Sequence, residues 1–96
     1  MSTEERAAAQ RRLHELIDLI GRMPQRDEYL PRLVHESEAL DRAISAFHLE
    51  GIRFRIYNLD RMIEHSPVAL PAEARSIVDD VRKHLEAAGF HTRSHA

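Results

Sequence analysis

The feature that most restricts what this chain can fold into is the run from Pro31 to His65, PRLVHESEALDRAISAFHLEGIRFRIYNLDRMIEH, which holds no breaker stronger than Gly51. Its apolar residues recur at helical spacing from end to end, but on two different sides. On a wheel of about 100° per residue, Leu33, Ser37, Leu40, Ile44 and Phe47 form one stripe with steps of 4, 3, 4 and 3. Leu49, Ile52, Ile56, Leu59 and Ile63 form a second with steps of 3, 4, 3 and 4, rotated by roughly 110°. Two complete stripes admit two readings: one helix buried on different faces by different neighbours, or a helix that bends at Gly51. Residues 52–57 also fit a strand, because Ile52, Phe54 and Ile56 alternate with Arg53 and Arg55, and the segment from Gly89 offers a partner. The helical pattern fits all of its positions over a longer span, so helix is the expected state.

The flanks read as helices too. Ala9, Leu13, Leu16, Ile20 and Met23 step by 4, 3, 4 and 3, and Ser2 or Thr3, with Glu5, can cap the start of a helix over about residues 3–22. Pro24 to Leu30 is a short turn, in which Asp27 can cap the next helix and Pro31 suits its first turn. So short a connection folds the first helix back antiparallel to the second. Ser66-Pro67 closes the central run, and a last helix follows over residues 72–88 with Ala74, Ile77, Val78, Val81 and Leu85 on one face. Gly89 stands where a helix ends in a left-handed residue, with Phe90 placed for the accompanying apolar contact. Residues 90–96 read as a loose tail.

The expected architecture is a single all-α domain over residues 1–96. It has three helices: a hairpin whose long central helix, residues 28–65, can break at residue 51, plus the C-terminal helix. Ninety-six residues make a limited core. A second full stripe on the central helix exceeds what two short partners cover, so Leu49, Ile52, Ile56, Leu59 and Ile63 are expected to form an oligomer interface, a homodimer first. Hydrophobic residues at 43% and charged residues at 31% suit a folded rather than a disordered domain. The net charge of −2 provides no basic field for nucleic acid or anionic lipid. No apolar run spans a bilayer, the N-terminal stretch MSTEERAAAQRR lacks the apolar core of a secretory signal, and the cytoplasm is the default location.

Chemistry is sparse. There is no cysteine, no Gly-rich phosphate loop and no nucleophile elbow, so an enzyme has little to stand on and no cofactor is expected. The candidate for a ligand or partner is the polar seam His48, Arg55, Asn58 and His65 on the central helix, where imidazoles, a guanidinium and an amide share a face and suit an anion or a carboxylate. The seven histidines include one i,i+4 pair, His91 and His95, in the tail, and no Glu-x-x-His or His-Glu-x-x-His motif occurs, so no metal site is expected. Arg53, Arg55 and Arg61 cluster, but residues 27–65 carry eight acidic and five basic side chains, which argues against a phosphate-tracking surface.

The stretch RMPQRDEYL, Arg22 to Leu30, with the helix after it, resembles the small copper- and nickel-sensing helical repressors. Those proteins bind metal through a cysteine shortly after the tyrosine and a later histidine. Here Leu30 follows Tyr29 and cysteine is absent, so neither the ligands nor the function carry over. The expectation is a small non-enzymatic interaction or regulatory protein acting as a homo-oligomer, with a protein partner possible. The alternative is a small-ligand- or metal-responsive regulator that uses the His48–Arg55–Asn58–His65 seam.

Overall fold

Periodicity at 3.6 residues becomes four helices in the computed structural model, which describes residues 3–24 and 27–92: α1 (Thr3–Gly21), α2 (Tyr29–Ser45), α3 (Leu49–Glu64) and α4 (Ala72–Ala87). The described residues are 77% helical without a strand, which removes the strand reading of residues 52–57. The expected three-helix layout is corrected to four. No long central helix exists, and the break is not at Gly51.

The physical reason lies at Ala46–Phe47–His48. Ala46 ends α2 in helical geometry, and Phe47 turns the chain with φ +55, the left-handed region that glycine usually occupies. Phe47 N–H then donates to Ile44 O at 3.1 Å and His48 N–H to Ala43 O at 3.0 Å, the paired bonds of a Schellman ending. His48 begins α3 in extended geometry, and its Nδ1 accepts from the Gly51 N–H at 3.1 Å. Gly51 is therefore inside the first turn of α3 and contributes to the cap rather than the break. The two stripes belong to two helices, which is why their directions differ.

Each helix packs on its neighbour in sequence, and α1 closes the ring against α4. Side-chain bridges fix the directions. Gln10 reaches Ser45 (2.8 Å) and His14 reaches Asp41 (3.1 Å), so α1 and α2 are antiparallel. Across α2 and α3, also antiparallel, Arg55 meets Glu36 (3.1 Å), and the Tyr29 hydroxyl donates to Met62 O (2.7 Å), one of the last carbonyls of α3 that no helical N–H can reach. Arg12 meets Asp80 (2.9 Å) and His84 meets Glu5 (2.7 Å), which sets α4 antiparallel to α1 and hence to α3. The result is an up-down-up-down bundle measuring 40 × 29 × 21 Å.

The centre is filled by the expected faces: Leu13, Leu16 and Ile20 of α1, Leu33, Leu40 and Ile44 of α2, Ile77, Val78, Val81 and Leu85 of α4. Ser37 is buried among them and returns its hydroxyl proton to Leu33 O at 2.8 Å. At the other end Gly89 has φ +101, Gly89 N–H donates to Glu86 O (3.0 Å) and Phe90 N–H to Leu85 O (2.9 Å), with the Phe90 ring buried. That is the glycine ending expected for α4. The N-cap of α2 is Glu28, without a side-chain cap bond, rather than Asp27, which lies one residue earlier and whose Oδ1 accepts from Tyr29 N–H at 2.6 Å. The Ser2 cap, His95 of the histidine pair and the tail 93–96 lie outside the described residues, as do Gln25 and Arg26 of the first turn. No helix among the described residues is long and apolar enough to cross a membrane.

Candidate functional site

The inner face of α3 decides what its outer face can do. Ile52, Ile56, Leu59 and Ile63 are buried in the chain's own core, and only Leu49, at the first position of the helix, is substantially exposed. The expected interface stripe is thus corrected: the reversal at Phe47 folds it back onto α2 and α4 of the same chain, which cover it. The surplus of apolar area inferred for a three-helix chain does not exist on this face.

The polar seam does not converge either. His48 is the N-cap of α3 and His65 its C-cap, so at 1.5 Å per residue they stand about 25 Å apart along the helix. His48 Nδ1 is engaged with Gly51 N–H, and Arg55 Nη1 contacts both oxygens of Glu36 at 3.1 and 3.2 Å. Asn58 is half-buried on α3, and His65 is exposed, with Nε2 4.0 Å from Glu64 Oε2. His48 and His65 cap α3, and Arg55 ties it to α2. One small ligand cannot touch all four residues. Among the described residues no three His, Asp or Glu side chains gather to hold a metal ion.

What the structure brings together is different. The exposed large hydrophobic side chains among the described residues are Phe47, Leu49, Phe54 and Tyr57, all within one stretch from the α2–α3 turn to the middle of α3. Phe47 is partly covered: its ring lies 6.4 Å from that of Phe90, and the Arg6 guanidinium sits 4.1 Å above it. Phe54 and Tyr57 stand on the outward side of α3. Arg55 lies 5.3 Å from the Phe54 ring centre, and Arg61 5.7 Å from that of Tyr57 with Nη1 3.4 Å from the Tyr57 hydroxyl. Aromatic rings interleaved with guanidiniums are the composition favoured at the centres of protein interfaces. The signal for this face was present in the spacing. Glu50, Phe54, Tyr57 and Arg61 step by 4, 3 and 4 on the side opposite the isoleucines.

Beside this face runs a surface groove of about 710 Å³ between α3 and α4, lined by Tyr57, Asp60, Glu64, Arg75, Arg82 and their neighbours. Asp60 is its hub, one oxygen 2.6 Å from Arg75 Nη1 and the other 2.7 Å from Arg82 Nη2. Arg82 also holds Thr92 O at 3.2 Å, tying the segment after α4 back to the bundle. Burial of Arg75 works against its charge, but the hydrogen bond and charge of Asp60, and then Asp79, prevail and raise its pKa above the ordinary value. For Arg12 burial again opposes the charge, and Asp80 and Glu15 together outweigh it and raise the pKa. Both guanidiniums are fixed cations in structural bridges, and neither is a proton donor. The Arg75 Nε is buried without a hydrogen-bond partner, a local consequence of committing both terminal nitrogens to carboxylates. The groove's carboxylates already neutralise its arginines, so it offers no net field to an anion.

Fold and surface together define an antiparallel four-helix bundle with one aromatic–arginine face. No protein-family model, no curated protein and no solved structure matches this chain.

Proposed function

We propose that this chain is a small cytoplasmic, non-enzymatic interaction protein that acts as a homo-oligomer through the outward face of α3. The observation that carries this reading is the confinement of the exposed large hydrophobic side chains to the stretch from Phe47 to Tyr57. Among the described residues the other large apolar side chains are buried or half-buried, and such clustering marks a contact surface. The occupant is a second copy. The face sets Glu50 and Glu64 beside Arg53 and Arg61, so it has no net charge to select a strongly acidic or basic partner, and it can complement itself.

The reading is tested by sedimentation equilibrium of the full chain from micromolar to millimolar concentration, alongside Phe54→Ser/Tyr57→Ser. The parent should associate reversibly. The variant should stay monomeric while keeping the helical circular dichroism of the parent, because neither ring contributes to the core. A parent that is monomeric throughout refutes the homo-oligomer.

A further inference from the structure

The exposed stripe of α3 reads, from its N-terminal end, Glu50, Phe54, Tyr57, Arg61: acidic, aromatic, aromatic, basic. With steps of 4, 3 and 4, these side chains fall within about 60° of arc on the helix surface, roughly opposite Ile52, Ile56, Leu59 and Ile63. From the homo-oligomer reading above, on which this rests, we infer that two copies pair α3 against α3 antiparallel about a two-fold axis, in the register that sets Phe54 on the partner's Tyr57 and Glu50 on the partner's Arg61.

Three observations single out this register. First, a 4-3-4 stripe reversed end to end is again a 4-3-4 stripe, so all four positions meet a counterpart at once, as knobs alternate across antiparallel helices. Second, the charge order suits only this direction. A parallel pairing sets Glu50 against Glu50 and Arg61 against Arg61. An antiparallel pairing shifted to stack Tyr57 on Tyr57 sets Glu50 against Glu64 and Arg53 against Arg61, again like on like. Third, the two charges are unspent. The Glu50 carboxylate has no hydrogen bond or ion pair among the described residues, and Arg61 meets no carboxylate there, only the ring and hydroxyl of its own Tyr57. The arginines that bridge helices, Arg12, Arg55, Arg75 and Arg82, are each bound to an acid.

The isologous geometry makes a sharp test. Glu50→Arg brings two guanidiniums together at both ends of the two-fold interface, and Arg61→Glu brings two carboxylates together at the same places. Each variant alone should lose about tenfold or more in dimer affinity by sedimentation equilibrium at low salt. Mixed in equal amounts, they should regain parental affinity as a one-to-one heterodimer, because one end then joins the two substituted side chains and the other the two native ones, opposite charges in each case. Glu50→Arg/Arg61→Glu in one chain should regain it as a homodimer. Single variants that dimerise like the parent, or a mixture and a double variant that stay as weak as the singles, overturn the register while leaving a homo-oligomer in place. A parent that never associates overturns the homo-oligomer itself, and the register with it.

Discussion

Two helix ends in this protein use the same hydrogen bonds and opposite residues. At the end of α2 and at the end of α4, the residue after the cap is left-handed, and its N–H and that of the next residue turn back to carbonyls of the last turn. In α4 that residue is Gly89, with φ +101, and the apolar residue after it, Phe90, is 3% exposed. In α2 the left-handed residue is Phe47 itself, with φ +55 and a ring that is 50% exposed. The two ends meet ring to ring, Phe47 against Phe90. At α4 the backbone is relaxed and the side chain does the packing. At α2 the backbone is strained, and what holds it is the Arg6 guanidinium over the ring, the Phe90 contact and the His48 cap that starts α3. One ending is self-sufficient, and the other is held by its surroundings.

The largest expected effect separates the two rings. Phe90→Ala removes a buried aromatic from the end of the core and should cost about 3–4 kcal/mol. Phe47→Ala removes a half-exposed one, with its cation–π contact, and should cost only about 1 kcal/mol. Chemical denaturation of both variants checks the order. Equal losses would mean that Phe47 belongs to the core, against its exposure.

The next effect tests the backbone alone. Nothing lies within 4 Å of a Cβ built on Gly89, so Gly89→Ala should destabilise purely through its left-handed φ, by about 1–2 kcal/mol. At position 47 the same comparison runs between two variants: Phe47→Gly should be more stable than Phe47→Ala by about 1 kcal/mol, because glycine accepts the left-handed turn. If Ala equals Gly at 47, the turn has relaxed once the ring is gone, and the strain is imposed by the ring's contacts.

The same contrast governs what could be read from the sequence. The end of α4 was legible because Gly89 and Phe90 are the residues that such an ending selects. The end of α2 was not, because no glycine marks it; the nearest glycine, Gly51, drew the break into what is the first turn of α3. From that displacement the rest followed. Taking α2 and α3 as one rod left Ile52, Ile56, Leu59 and Ile63 without an intrachain partner and made them an interface, whereas a reversal at Phe47 folds them onto the core. The His48 to His65 seam does not converge on one small ligand for a related reason: residues that share a helical face can still stand a helix length apart. The all-α class and the core faces of α1 and α4 were accessible from periodicity, since burial there depends on spacing alone, and the antiparallel hairpin from the short connection between the first two helices. The Glu50–Phe54–Tyr57–Arg61 stripe is present in the spacing, but it stands out as a free face only once the opposite face of α3 is known to be occupied.

The smallest effect sharpens what holds the strained end. His48→Ala removes the acceptor for Gly51 N–H and should cost about 1 kcal/mol. Gly51→Ala offers about 1 kcal/mol of helix propensity. Its Cβ, however, would lie within van der Waals overlap of His48 Nδ1, so in the parent the gain is offset by loss of the cap, and the net change should be near zero. With His48→Ala already in place nothing remains to displace, and Gly51→Ala should then stabilise by the full amount. The double-mutant cycle therefore predicts a coupling of about 1 kcal/mol between His48 and Gly51. Additive changes would show that the cap does not secure the turn, and would leave the Phe47 ring with Arg6 and Phe90 as what keeps α2 and α3 apart.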